Sequence, residues 1–251
     1  MKKEELILTE KEIYKGSLIL VNEKYGIKNG ESIDLSEAAP NVFLQREAAN
    51  RLKEALKKIK AEDKIVLVSG FRSRSEQSEI YKMSLYENGE EFTKQYVALP
   101  DHSEHQTGLA VDLALKSDSI DFIRPDFPFE GICQQFREIA AEYGFIQRYP
   151  KEKENITGIS FEPWHFRYVG APHSKIMEEK GLTLEEYTDY IREYGFYNRL
   201  SFNADDAGEV FYIKFDAGSG EKKIPLSEKE SLTVSGNNRD GFIATVKKND
   251  K

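Results

Sequence analysis

Two short stretches of this 251-residue chain carry side chains able to share a metal ion. In Pro100–Leu115, PDHSEHQTGLAVDLAL, His105 and Asp112 stand seven positions apart with Gly108 between them. About fifty residues later, in Phe161–Gly170, FEPWHFRYVG, Glu162 precedes His165 by three. His105, Asp112 and His165 form a ligand set of two imidazoles and a carboxylate, leaving Glu162 as a second carboxylate beside the ion. Three N/O ligands with one position open to water describe a catalytic zinc, whereas a structural zinc is closed by four ligands and usually holds cysteine. The chain has one cysteine, Cys133, so a thiolate cage is excluded.

Other candidates weigh less. His102 lies one turn upstream of His105, flanked by Asp101 and Ser103, and is an alternative ligand or a solvated loop histidine. His173 follows Ala171-Pro172 at the start of a predicted helix and reads as structural. Asp101 and Asp121 compete with Asp112 as third ligand; a place on an apolar strand favours Asp112, because a carboxylate there is costly unless paired or metal-bound. The helical HExxH pattern is absent, which removes a thermolysin-like protease. Cys133 cannot form an internal disulfide and reads as a buried bystander.

Several elements must carry these residues. Residues 45–60, QREAANRLKEALKKIK, place Ala48, Ala49, Leu52, Ala55, Leu56 and Ile59 on one helical stripe. Ile65-Val66-Leu67-Val68 is a buried strand, followed by Ser69-Gly70-Phe71-Arg72-Ser73 and a helix over about residues 75–86, with Ser73 or Ser75 as its cap. Arg72 at that strand end either projects into a cleft or makes a surface ion pair. Residues 108–115 alternate, with Leu109, Val111 and Leu113 on one face and Ala110 and Asp112 on the other. His105 and Asp112 are an odd number apart, so a turn or bulge at Gln106-Thr107-Gly108 is required for both to reach one ion, and Gly108 permits it. Residues 118–130 read as a loop and 131–143 as a helix ending at Gly144. Residues 158–169 form a strand that Pro163 interrupts, which lets Glu162 and His165 face one point. Two helical stretches over 172–196 flank Gly181.

The ends of the chain differ in texture. Residues 1–40 mix a short strand, Ser17–Asn22, with turn formers Gly16, Gly26, Asn29-Gly30 and Pro40, and read as a wrapping segment. From Ser201, β-type segments at 209–215, 222–226, 231–235 and 241–247 alternate with turns at Asp205-Asp206, Gly218-Ser219-Gly220 and Gly236-Asn237-Asn238. The division expected is a domain over 1–200 and a small all-β appendage over 201–251, whose default role is packing or spacing.

With 36 basic against 44 acidic side chains, the net charge of -8 argues against nucleic acid or anionic lipid as partners, since both demand a positive field. No stretch reaches the roughly 18 apolar residues of a membrane span, and the first fifteen residues lack the apolar core of a signal peptide. The expected location is the cell envelope if a leader or anchor precedes this chain, and the cytoplasm if the chain is whole. Oligomeric state leaves no mark.

Ser103-x-His105-x-x-Gly108-x-Ala110-x-Asp112, followed by Glu162-x-Trp164-His165 and preceded by Ser69-Gly70-Phe71-Arg72-Ser73-x-x-x-Gln77, resembles the zinc D-alanyl-D-alanine carboxypeptidases of the VanY type. These sit in a wider group with VanX dipeptidases, lysostaphin-like endopeptidases and the hedgehog signalling domain. The resemblance spans about residues 15–195; Phe71 replaces the more familiar Tyr. It implies an α+β fold in which a small antiparallel sheet flanked by helices carries one zinc per chain. It also implies a substrate: a peptidoglycan stem or precursor peptide ending in D-alanine. Glu162 would act as the base on water, Arg72 would face the oxyanion or the terminal carboxylate, Gln77 and Ser103 would contact the peptide end, and Trp164 and Tyr168 would wall the pocket. A D-Ala-D-Ala dipeptidase or an L,D-carboxypeptidase would use the same chemistry. A hedgehog-like module holding zinc without hydrolysis is the non-enzyme alternative, against which the intact Glu162 and Arg72 argue.

Overall fold

The structure, a computed structural model, describes residues 5–28, 33–202, 208–216, 218, 220–225 and 230–248. The predicted turns at Asn29-Gly30 and Asp205-Asp206, and Ser219 of a third, lie outside the described residues. The chain divides into two compact units, Val21–Thr183 and a second assembled from Met1–Leu20 and Leu184–Lys251. Strand β1 (Glu5–Thr9) belongs to the second unit.

In the unit Val21–Thr183, a hairpin of β2 (Leu35–Ala39) and β3 (Val42–Gln45) leads directly into helix α1 (Arg46–Lys58). Ala48, Ala49, Leu52, Ala55 and Leu56 recur at helical spacing and are buried, so the stripe read from sequence is the packed face. It lies against β2, β3 and the later helix α3. Strand β4 (Ile65–Ser69) follows, then helix α2 (Arg74–Tyr96). Ser73 caps α2 with a capping box: its hydroxyl accepts from the Glu76 backbone N–H at 3.2 Å, and the Glu76 carboxylate accepts from the Ser73 N–H at 2.7 Å. The helix runs further than the predicted end at 86 because it resumes after a break at Gly89, whose φ of 82° is open to glycine. A Ser84–Thr93 hydroxyl pair at 2.8 Å ties the two halves together.

Next come β5 (Ala110–Leu115), α3 (Gly131–Ala140), β6 (Phe145–Tyr149), the single turn α4 (Glu154–Thr157), β7 (Glu162–Tyr168) and α5 (His173–Lys180). Gly144 ends the α3 segment in the left-handed region, as its placement predicts. The sheet is antiparallel in the order β4-β5-β7-β6, giving the α+β class expected. The alternation read over 108–115 is real, but both faces are covered: Ala110 to Ala114 are all buried. Phe127, Phe136 and Phe166 meet edge to face, Phe136 and Phe166 with centroids 5.0 Å apart, and fix β7 from behind. Strand β6 is not apparent in the sequence because its polar residue Arg148 points inward, which spoils the alternation.

The second unit adds α6 (Leu184–Tyr190), β8 (Leu200–Phe202), β9 (Gly208–Lys214), β10 (Glu221–Pro225), β11 (Glu230–Gly236) and β12 (Gly241–Lys248). Its main sheet has the order β11-β12-β9-β8, while β10 pairs antiparallel with β1, from Glu5 opposite Pro225 to Thr9 opposite Glu221. Leu8 and Ile13 share a core with Phe211, Phe215, Ile224 and Phe242. The boundary expected at 200/201 is therefore corrected at both ends. Residues 5–20 belong to the β-rich unit, supplying it with a strand and two core side chains, and its helical part begins at Leu184. Ser17–Asn22 is not a strand: Leu18 N–H donates to the Ser235 hydroxyl and Leu20 N–H to the Asn237 carbonyl, in a segment with no ladder to extend. Its apolar residues are buried, which is what the sequence registered.

Because Leu8 is buried in the β-rich core, Leu8→Ala should destabilise that unit by about 2–4 kcal/mol. Hydrogen exchange of the β9 and β12 amides reads this out, with faster exchange in the variant. Unchanged protection would restore the boundary expected from sequence.

Candidate active site

Asp112 and His165 are direct cross-strand partners on the two central strands, β5 and β7. Residues opposite one another in an antiparallel pair point to the same face, so the pairing register brings these two together. His105 arrives from a 3-10 turn, Glu104–Thr107, that ends at Gly108 in the left-handed region with φ 68°. A side chain at 108 would be strained by that φ and would meet Leu35 Cδ2 at 2.9 Å. The turn required by the odd His105–Asp112 spacing is thus present. The odd spacing of Glu162 and His165 is resolved differently from the expectation: β7 begins at Glu162, not 158, and runs unbroken through Pro163, and it is the register against β6 that shifts between Gln147 and Tyr149.

One ligand atom from each of His105, Asp112 and His165 lies within 4.8 Å of the others, and all three residues are buried. His105 Nδ1 is 2.7 Å from the Gly70 carbonyl oxygen, which only accepts, so this nitrogen carries the proton and Nε2 presents its lone pair. That lone pair faces Asp112 Oδ2 at 3.1 Å, and His165 Nδ1 faces Asp112 Oδ1 at 3.0 Å. Two acceptors at such a distance require positive charge between or beside them. Here Arg72 Nη2 supplies it, donating to Asp112 Oδ2 at 2.9 Å and lying 3.2 Å from His105 Nε2. Two imidazole nitrogens and a carboxylate oxygen, converging from two paired strands and a 3-10 turn without any thiolate, fit a divalent ion of the zinc class.

The electrostatics are those of a buried charge cluster. Burial raises the Asp112 pKa, but the His105 and His165 rings outweigh it and hold the carboxyl well below its usual range. Burial lowers both histidines; for His165 the hydrogen bond to Asp112 and the nearby Glu104 carboxylate win and lift it to about 9, whereas His105 stays below its ordinary value, with Arg72 adding to the burial. Burial pushes the Glu162 carboxyl up to about 8, against the pull of His165. A cation among the three ligands would pull it back toward the ionised form. Glu162 Oε2 is 3.6 Å from His165 Nδ1, beside the ligands rather than among them.

Arg72 stands in the turn between β4 and α2 facing the cleft, and its ion pair is with the candidate ligand Asp112. Gln77 is buried and already engaged: its Nε2 donates to the Ala98 carbonyl at 2.7 Å and its Oε1 is 3.4 Å from Arg72 Nη1. It orients Arg72 more directly than it offers groups to a peptide. A cavity of about 320 Å³ opens over the cluster, lined by Arg72, Gln77, Ser103, Glu162 and Trp164 together with Tyr149, Ile80, Val97 and Ile159. Tyr168 is not in that lining; it packs on Phe145 at 5.2 Å, so its expected place on the wall is corrected. The other candidates also lie elsewhere. His102 Nδ1 is 2.7 Å from the Asn22 carbonyl oxygen, Asp101 pairs with Arg74, Asp121 accepts the Ile123 and Arg124 amides, and His173 is buried at the start of α5. Cys133 is free and buried, its thiol pushed up to about 11 by burial.

Sequence reasoning missed three charged residues beneath the site. Glu104 is buried against Arg148 and Arg167, whose side chains have no exposure. A signal was present: His165 and Arg167 share a strand face at spacing two, and a cation on a buried face demands an anion nearby. It missed Tyr149 as well, whose ring centroid is 4.8 Å from that of His165.

Comparison with known proteins gives a consistent result. Residues 41–171 match the family described as VanY, D-alanyl-D-alanine carboxypeptidase. The bifunctional D-Ala-D-Ala dipeptidase and D-Ala-D-Ala carboxypeptidase VanXYC of Enterococcus gallinarum is 43% identical over 182 residues, 70% of this chain and 96% of that protein. A D-alanyl-D-alanine carboxypeptidase of Enterococcus faecium is 33% identical over 97% of this chain and 79% of its own length. Among solved structures, the vancomycin resistance D,D-dipeptidase VanXYg, in complex with a D-Ala-D-Ala phosphinate analog, superposes with a TM-score of 0.95 at 49% identity, covering 99% of this chain and 100% of the other. A VanY D,D-pentapeptidase mutant from a VanB-type resistance cassette, in complex with Zn(II), superposes at 0.58 with 30% identity over 68% of this chain and 98% of its own. The matched residues include the three candidate ligands and Glu162, and this chain belongs to the VanY family of D-alanyl-D-alanine carboxypeptidases.

Proposed function

We propose that this chain is a zinc-dependent carboxypeptidase that hydrolyses the terminal D-Ala-D-Ala bond of peptidoglycan precursor or stem peptides. The observation that carries the reading is the convergence of His105, Asp112 and His165 within 4.8 Å, with Glu162 Oε2 at 3.6 Å from His165 Nδ1 in the same cleft. The relatives named above, one of them solved with Zn(II), support the metal and the substrate class.

Zinc held by the three ligands would supply Lewis acidity, polarising the scissile carbonyl and making water acidic enough to react at neutral pH. Glu162 Oε2 takes the proton of the attacking water and returns it to the departing D-alanine amine; the charge of a cation held by the three residues would keep this buried carboxylate ionised at the start of the cycle. Arg72, steadied by Ser69 Oγ at 2.9 Å and by Gln77, faces either the oxygen that gains charge or the terminal carboxylate of the peptide. Tyr149, Trp164 and Ile159 form the walls that exclude bulk water. The same groups serve free D-Ala-D-Ala, and the 49% identical dipeptidase that superposes over nearly the whole chain favours this as a second activity of the site.

The test is incubation of the purified protein with muramyl pentapeptide, tetrapeptide and D-Ala-D-Ala, with and without chelator, followed by mass analysis. D-Alanine should leave the pentapeptide and the dipeptide, stop leaving under chelation, and leave again once zinc is restored. No release from any substrate in the presence of zinc would end the proposal; release from the tetrapeptide alone would reassign the enzyme as an L,D-carboxypeptidase. Glu162→Gln should keep zinc while kcat falls about 10²–10⁴-fold, the usual share of a general acid–base group. Undiminished turnover would remove Glu162 as the base. Arg72→Ala should lower kcat/KM by about 10²–10³-fold. A loss confined to kcat assigns Arg72 to the oxyanion, and a rise in KM assigns it to the terminal carboxylate.

A further inference from the structure

Glu104 combines features that do not fit a simple counter-ion. It stands one residue before the ligand His105 in the 3-10 turn, and its side chain is fully buried. Arg148 Nε donates to its Oε1 at 2.8 Å and Arg167 Nη1 donates to the same oxygen at 2.9 Å. Both arginine contacts fall on one oxygen. Among the described residues the other, Oε2, has no hydrogen-bond partner, and neither has His165 Nε2; the two face each other at 3.5 Å.

We propose that Glu104 is a positioning residue for His165, accepting the Nε2 proton and so fixing the tautomer and ring angle in which Nδ1 presents its lone pair to the metal. The inference rests on the reading that His105, Asp112 and His165 hold a divalent ion. An imidazole that ligates through one nitrogen must carry its proton on the other, and an acceptor there sets both the orientation and the basicity of the ligand. Nδ1 of His165 is the nitrogen that faces Asp112 and Glu162, so the proton belongs on Nε2, and Glu104 Oε2 is the acceptor facing it. The two arginines serve this arrangement: by holding Oε1 they aim Oε2 and keep a carboxylate charged in a buried place. The matching acceptor for His105 is the Gly70 carbonyl, so each imidazole has its outer nitrogen directed by a different kind of group.

The test uses zinc affinity, measured without substrate by competition with a chromophoric chelator. Glu104→Gln keeps the shape and removes the charge; zinc should bind about 10–100-fold more weakly. A purely structural role would lower the melting temperature of the metal-free protein and leave that affinity within about twofold, and this result, in a folded variant, would overturn the proposal. Should the variant fail to fold, nitrogen-15 NMR of the zinc-loaded wild type decides. A proton on His165 Nε2 with zinc on Nδ1 supports the assignment, and the reverse tautomer refutes it. A wild type that binds zinc but releases no D-alanine would sink the proposed activity alone, whereas one that binds no zinc would sink this inference.

Discussion

Asp112 is the carboxylate on which the site depends. It sits on a central strand buried on both faces, and each of its oxygens meets a different imidazole. A lone carboxylate in that position would be expensive, and its stability comes from the cations and donors that surround it. The antiparallel register that sets Asp112 opposite His165, the left-handed Gly108 that returns the chain to His105, and the strand end that delivers Arg72 all serve to bring positive or proton-bearing groups to this one side chain. A divalent ion bound there would draw on the same attraction.

The surrounding charge is layered. Around Asp112 lie the two histidines and Arg72; below His165 lies Glu104; below Glu104 lie Arg148 and Arg167, with no solvent exposure. Signs alternate from layer to layer, which is the arrangement that lets several buried charges coexist. Arg137 acts similarly at the edge of the site: it donates to the carbonyls of Phe127, Pro128 and Pro163 and stacks over Phe129 at 3.8 Å, tying the residue after Glu162 to the loop before α3.

Much of this was legible in the residues. The four groups that lie together could be named from type and spacing, and the demand for a turn at Gly108 followed from strand parity alone; parity also demanded an irregularity beside Glu162, which is a register shift against β6 rather than the strand break expected at Pro163. The helix over α1 was legible because its apolar stripe is uninterrupted. What stayed hidden shares a physical cause, namely partners far apart in sequence. Strand β6 was masked by the inward Arg148, whose purpose is evident only beside Glu104. Tyr168 looked like a pocket wall because it follows His165 by three, but it is packed against Phe145 outside the cavity lining. The wrapping character of the first twenty residues was visible, but the unit they wrap was not, since no local pattern says that Leu8 will meet Phe242.

The pairing of β1 with β10 also governs the order in which the molecule can be completed. Glu5–Thr9 leaves the ribosome about 210 residues ahead of its partner strand Glu221–Pro225. At about 5–20 residues per second that is a delay of roughly 10–40 seconds. Residues 21–183 contain all three candidate ligands and have their whole sheet available well before then. The amino-terminal strand, with Leu8 exposed, must wait on the ribosome for its edge. A chain arrested before residue 221 would hold all the residues assigned to chemistry and an unpaired β-segment open to association with chaperones or with other nascent chains.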